Sequence, residues 1–138
     1  MTAASAALNG EIESLLQQLT LTADGLIPAI AQQHDTGEVL MLAWMTPDSL
    51  RETLTSGRVV YWSRSRKQLW RKGDTSGQIQ KLIECRVDCD QDCLLLLVDQ
   101  VGVACHTGRR SCFYTALRDG KAEIIAAVEV DPDKLYGA

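Results

Sequence analysis

Apolar positions recur along this chain with two different spacings, and the changes between them mark out its elements. Over residues 10–20, Ile12, Leu15, Leu16 and Leu19 fall on one helical face, with Asn9 as the cap, which predicts a short amphipathic helix. Residues 26–34 and 39–45 are rich in apolar residues, and Asp35-Thr36-Gly37 between them supplies turn chemistry, so the pair reads as a β-hairpin. Thr46-Pro47 then opens a segment with Leu50 and Leu54 four apart, closed by Ser56-Gly57. A cap, a first-turn proline and a terminal glycine predict a second helix.

Residues 59–62 read as a strand, and residues 63–78 as a long polar, basic loop with glycines at 73 and 77. A structureless stretch of that length is uncommon in a compact domain unless it is functional. Further β-prone runs cover residues 79–88, 94–98 and 112–117, with residues 124–130 as a fourth. Hairpin signals outnumber any alternation of strand and helix, so the pattern predicts an α+β fold of mainly antiparallel sheet with a few short helices. The 138 residues fit one domain, 1–138, with residues 1–9 as a flexible tail.

Charge adds a feature that periodicity does not carry. The net charge is −4, yet residues 58–72 hold six basic and no acidic side chains, and removing those six leaves −10 on the rest. A basic patch on a chain of pI about 5.1 argues against a general nucleic-acid binder and for a small anionic ligand. The first seven residues have neither the basic nor the apolar region of an export signal, and no run approaches the length of a membrane span, so a soluble, cytoplasmic protein is expected. Five cysteines in such a chain point to metal-binding or catalytic thiols before disulfides.

The densest chemistry lies in residues 88–92, Asp-Cys-Asp-Gln-Asp, and residues 105–112, Cys-His-Thr-Gly-Arg-Arg-Ser-Cys. If residues 85–92 continue as extended chain, Asp88, Asp90 and Asp92 share one face and Cys89 takes the other. Three carboxylates so close call for a hard cation such as magnesium, or for wide solvation at a strand end. A calcium loop fits worse, because its sixth position is Cys93 where glycine is needed and residues 94–98 want burial. Cys89, Cys105 and Cys112 could fill three positions of a zinc site and leave the fourth open, although the spacing lacks paired C-x-x-C knuckles. Cys85 and Cys93 flank apolar runs and read as small core residues. His106 could be a ligand, a proton shuttle or a packed side chain. Arg109 and Arg110, like Arg64 and Arg66 in the basic loop, could meet phosphate oxygens. Trp62 and Trp70 could stack on a base or belong to the core.

From residue 26 to residue 114 the chain resembles the phosphoribosyl-AMP cyclohydrolase family. The likeness rests on residues 35–43 (Asp-Thr-Gly-Glu-Val-Leu-Met-Leu-Ala), residues 62–66 (Trp-Ser-Arg-Ser-Arg) with their continuation through residues 70–73, and the two cysteine-bearing segments continued to Phe113-Tyr114. The resemblance implies magnesium on Asp88, Asp90 and Asp92, and zinc on Cys89, Cys105 and Cys112. It also implies an intertwined homodimer in which Cys89 of one subunit faces Cys105 and Cys112 of the other. The implied reaction opens the adenine ring of phosphoribosyl-AMP by adding water across N1–C6, a step of histidine biosynthesis. Zinc-bound hydroxide would be the nucleophile, His106 would move the proton, and magnesium would help to hold phosphate. Where the family usually continues Gly-Glu-Thr-Ser-Gly with Asn or His, this chain has Gly73-Asp74-Thr75-Ser76-Gly77-Gln78, which keeps the chemical type. The chain ends too soon for a downstream pyrophosphatase domain, so a monofunctional enzyme is expected. The alternative is a noncatalytic zinc module that binds a nucleotide or RNA through the basic 58–72 segment. An adenine or cytosine deaminase would want H-x-E and P-C-x-x-C, and neither is present.

Overall fold

The computed structural model describes residues 3–135, with side chains from Leu8 onward. Helix α1 (Ala3–Gln18) is followed by β1 (Ile27–Gln33), β2 (Val39–Met45), α2 (Pro47–Ser56), β3 (Val60–Ser63), β4 (Gln68–Arg71), β5 (Gln80–Val87), β6 (Leu94–Gln100), β7 (Thr115–Arg118), β8 (Lys121–Ile124) and α3 (Pro132–Leu135). The first helix starts earlier than its apolar face suggests. Asn9 therefore lies inside α1 instead of capping it, and residues 3–9, expected as tail, form its first turns. The predicted face is retained, since Ile12 and Leu16 are buried in the core and Leu19 packs against it.

The predicted hairpin forms as β1 and β2, paired antiparallel from Ile27↔Met45 to Gln32↔Val39. The second helix also begins and ends as its sequence dictates. Thr46 Oγ1 accepts from Ser49 N at 3.1 Å and Ser49 Oγ accepts from Thr46 N at 2.9 Å, a closed capping box, while Gly57 takes the left-handed conformation (φ 77°).

Six strands form one sheet in the order β4-β3-β2-β1-β6-β5, and β7 and β8 form a separate hairpin. The sheet is mixed and not purely antiparallel, because β1 and β6 run parallel from Ala29↔Leu94 to Gln33↔Val98. Hairpin signals report only neighbours in sequence, and this pairing joins strands about sixty residues apart. The sheet also curls until its ends approach each other: Arg58 bridges Lys81, Val59 N donates to Gln80 O and Leu82 N to Gly57 O. Inside the curl lie Ile27, Ala29, Leu40, Tyr61, Leu94, Leu96 and Val98, all with no more than 1% or so of their surface open. A fully buried side chain of this kind contributes about 1.5–3 kcal/mol, so this layer dominates the stability of the fold.

Three further expectations are revised. Residues 63–78 are not all loop, since β4 pairs back on β3 from Val60↔Arg71 to Ser63↔Gln68. The run predicted over residues 112–117 becomes a shorter β7, and residues 124–130 are not a strand beyond Ile124; there β8 precedes the expected segment. The reason in both cases is that the backbone bonds of these residues go elsewhere: Cys112 N to Leu40 O, Ile125 N to Tyr114 O, and Glu129 N and Val130 N to Gly108 O. No helix among the described residues is long and apolar enough to cross a membrane.

Candidate active site

The β3–β4 hairpin and the turn after β4 wall a cleft of about 750 Å3, lined by Ser63, Ser65, Arg66, Trp70, Lys72, Thr75 and His106 among others. Hydroxyls and cations converge here because β4 pairs back on β3, and the chain just after it meets the thiol loop, residues 101–112, through Lys72 and Gln78. Trp70 is tilted against Tyr61 with ring centroids 5.6 Å apart, so it shares its surface between core and cleft. Trp62 pairs with Trp44 in the sheet.

Lys72 is the least expected member. Only 5% of it is exposed, and its Nζ donates to Ala104 O at 2.9 Å and sits 5.5 Å from the centroid of the Trp70 ring. Burial lowers its pKa, and the neighbouring Cys112 and Cys105 thiols oppose that fall. Composition marked Lys72 as one of six basic residues, and nothing in its sequence context signals that it is buried beside sulfur.

Cys105 is buried, and its Sγ accepts from Thr107 Oγ1 at 3.1 Å. Desolvation, reinforced by Cys105, pushes the Cys112 thiol up to about 12, with Lys72 pulling the other way. Burial first, and the Cys112 charge second, hold the Tyr61 phenol above its usual range, while its hydroxyl donates to Gln80 Oε1 at 2.7 Å. Cys105, Cys112 and Lys72 therefore form one electrostatic unit, and Lys72 joins it to the cleft.

The acidic segment lies elsewhere, and it is not extended. Asp88 N donates to Cys93 O and Gln91 N to Asp88 O, while Gln91 adopts φ 61°, so residues 88–93 form a tight turn between β5 and β6. Alternation of faces therefore does not apply. The turn instead folds Asp88, Cys89 and Asp90 so that one ligand atom from each lies within 4.8 Å of the others, all three side chains being exposed. Asp88 Oδ1 accepts from Asp92 N at 2.9 Å and Cys93 N at 3.0 Å. Desolvation raises the Asp88 carboxyl, but these donors outweigh it and its pKa falls. The Asp88 carboxylate, through hydrogen bonding and charge, raises that of Asp92. A hard cation would relieve that repulsion, so the donor set fits magnesium.

The two cysteine segments flank opposite ends of β6, a strand that spans roughly 20 Å. Among the described residues no third ligating side chain joins Cys105 and Cys112 in one chain. A soft metal fits the thiol pair chemically, but one chain alone leaves the set short of the three protein ligands of a catalytic zinc centre.

The four arginines singled out from sequence divide. Arg66 lines the cleft. Arg64 lies over Trp44, 4.8 Å from its ring centroid. Arg109 stacks on Tyr114 at 4.0 Å and its Nε donates to Ala126 O, which ties the C-terminal segment to the thiol loop. That clamp also depends on Gly108 (φ 85°), where an added Cβ would stand 1.8 Å from Val130 O. Arg110 turns its guanidinium to Gln33, Glu38, Gln100 and Gly102. Cys85 and Cys93 are half-buried free thiols, and desolvation pushes Cys85 up to about 11.

A cleft lined by cations and hydroxyls adjoins a pair of thiols through Lys72, with carboxylates in a separate turn, an arrangement that suits a small anionic ligand, and comparison with known proteins makes the assignment specific. A sequence model described as phosphoribosyl-AMP cyclohydrolase matches residues 41–114. Proteins named phosphoribosyl-AMP cyclohydrolase are similar over nearly the whole chain. The one from Rhodospirillum centenum is 71% identical over 91% of this chain and 95% of its own. That of Alkalilimnicola ehrlichii is 61% identical over 91% and 89%, and that of Paramagnetospirillum magneticum 62% over 89% and 93%. The chain belongs to the phosphoribosyl-AMP cyclohydrolase family.

Proposed function

We propose that this enzyme opens the adenine ring of phosphoribosyl-AMP in histidine biosynthesis, and that it does so as a homodimer whose metal sites draw on both copies. The observation that carries the reading is a cleft of hydroxyls and cations, lined by His106 and by Lys72, which neighbours Cys105 and Cys112, in a chain of this family. The substrate brings two phosphates and a purine, and Arg66, Lys72 and the hydroxyls of Ser63, Ser65 and Thr75 offer donors for the phosphates. Water adds across the N1–C6 bond: its oxygen ends on C6, the C6–N1 pair leaves with N1, and N1 takes a proton. Both fragments remain one molecule and no ammonia is released. His106, which lines the cleft, takes or relays the proton from water.

Cys105 and Cys112, with Cys89 from a second copy, would hold zinc, while Asp88, Asp90 and Asp92 would hold magnesium. Zinc supplies there the acidity that makes water a nucleophile at neutral pH. Two features support the dimer. Cys89 is remote from the thiol pair within one chain, and the β7–β8 hairpin leaves Leu117, Ile124 and Ile125 open to 83%, 60% and 51%. Such apolar exposure on a two-stranded ribbon, marginal by itself, is what a partner subunit would cover.

Mass spectrometry of phosphoribosyl-AMP incubated with the protein tests the reaction, with zinc and magnesium present and with each withheld. A metal-dependent gain of one water without ammonia is the expected result, and unchanged substrate over zinc-loaded protein would sink it. Asp90→Asn is expected to spare zinc content and to weaken the magnesium dependence of turnover. An unchanged magnesium titration in that variant would remove the aspartates from the magnesium site.

A further inference from the structure

Between the end of β6 and Cys105 run residues 101–104, which have no regular secondary structure, yet side chains from four directions hold their backbone. Val101 O and Val103 O both accept from Gln100 Nε2, at 2.9 and 3.2 Å. Gly102 O accepts from Arg110 Nη1 at 2.8 Å, Val103 N donates to Gln78 Oε1 at 2.9 Å, and Ala104 O receives Lys72. A loop so heavily tied is a rigid support, and what it supports is the Cys105-His106 corner and, through Arg110, the approach to Cys112.

Arg110 is the hub of these ties. Its Nη2 donates to Gln33 Oε1 at 2.8 Å, its Nη1 also reaches Gln100 O at 3.2 Å, and its Nε pairs with Glu38 at 3.1 Å. Gln33 is 4% exposed, and its Oε1 also accepts from Gln100 N at 2.9 Å, so one amide oxygen locks Arg110 to the end of β6. Arg110 O and Arg109 O in turn accept from Ala104 N and Cys105 N, closing the thiol loop on itself. The guanidinium thus spends its donors on the scaffold, and it is not among the residues that line the cleft.

We infer that Arg110, held by Gln33, is a positioning residue that sets the geometry of Cys105 and Cys112 and does not bind substrate phosphate. The inference rests on the zinc reading proposed above for these thiols. Groups that orient metal-binding side chains without touching the metal typically govern affinity or activity 10- to 100-fold, whereas a phosphate donor governs substrate affinity. The two roles therefore move different quantities.

The test uses Arg110→Lys and Gln33→Met in the full chain, titrated with cobalt(II) chloride in place of zinc and assayed with phosphoribosyl-AMP. Lysine keeps the charge but loses the planar fork, and methionine keeps the volume of Gln33 but removes the shared acceptor. In both variants the thiolate-to-cobalt absorption is expected to require about 10- to 100-fold more metal. kcat should fall by a similar factor, while KM stays within about twofold of the wild type. A raised KM with an unchanged cobalt titration would overturn the inference and return Arg110 to the phosphates, and so would wild-type behaviour in both respects. If Arg110→Lys fails to fold, Gln33→Met carries the same comparison alone. A wild-type protein with no thiolate-to-cobalt band would refute the zinc reading itself; the positioning role then stands or falls on the kcat and KM split.

Discussion

Cys105→Ala is expected to lose zinc and turnover together while keeping the fold. Cys105 is buried and its thiol pairs with Cys112, so its removal takes away a proposed zinc ligand that no neighbouring side chain among the described residues replaces. The packing change is small, because one sulfur is exchanged for a hydrogen in a loop held by Gln100, Arg110 and Lys72. Folding should therefore survive with a loss on the order of 1 kcal/mol, while turnover falls by at least on the order of a hundredfold. Metal analysis, circular dichroism and the mass-spectrometric assay on one preparation separate these effects. Full turnover in a metal-free Cys105→Ala protein would refute a zinc-dependent mechanism.

Cys89→Ala and Cys105→Ala, each inactive alone, are expected to restore activity when unfolded and refolded together or expressed in one cell. A dimer with one chain of each kind has one site that lacks both cysteines and one site that lacks neither. Random pairing makes half of the dimers mixed, each with one of two sites intact, so about a quarter of wild-type turnover should return. The prediction follows from the position of Cys89 in the turn before β6 and of Cys105 in the loop after it. If each chain built its own site, every mixed dimer would remain dead. Measured activity at the level of the separate variants would therefore reject shared sites, whatever the oligomeric state found by sedimentation.

Much of the architecture could be read from local pattern because local physics governs it. Thr46, Pro47, Ser49 and Gly57 define α2 through contacts within a few residues, and β1 and β2 meet across a short turn. Where partners lie far along the chain, pattern misled. Continuing β5 as extended chain through Asp92 placed three carboxylates on one face, but the backbone turns at Gln91 and gathers Asp88, Cys89 and Asp90 instead. The basic segment looked like one long loop because nothing local announces that Gln68–Arg71 pairs with β3. Gln100 accepts from Gln80 Nε2 at 2.8 Å and donates its N–H to Gln33 Oε1, a network that no short window of sequence contains, although alternation along β6 puts Gln100 on the inward side with Leu94, Leu96 and Val98.

Family membership was carried by residue type at short spacing, in the cysteine and aspartate segments and in the Trp-Ser-Arg-Ser-Arg block, because a family's motifs are written in runs of a few residues. Tertiary structure alone decided which of those residues meet. It put Lys72 beside Cys105 and Cys112, left Arg66 in the cleft, turned Arg110 inward onto Gln33, and set Cys89 at the far end of a strand from the other two thiols. These placements depend on the parallel pairing of β1 with β6 and on the curl that brings β5 to the start of β3. Both arise from burying one shared apolar layer, a global condition that no short window of sequence contains.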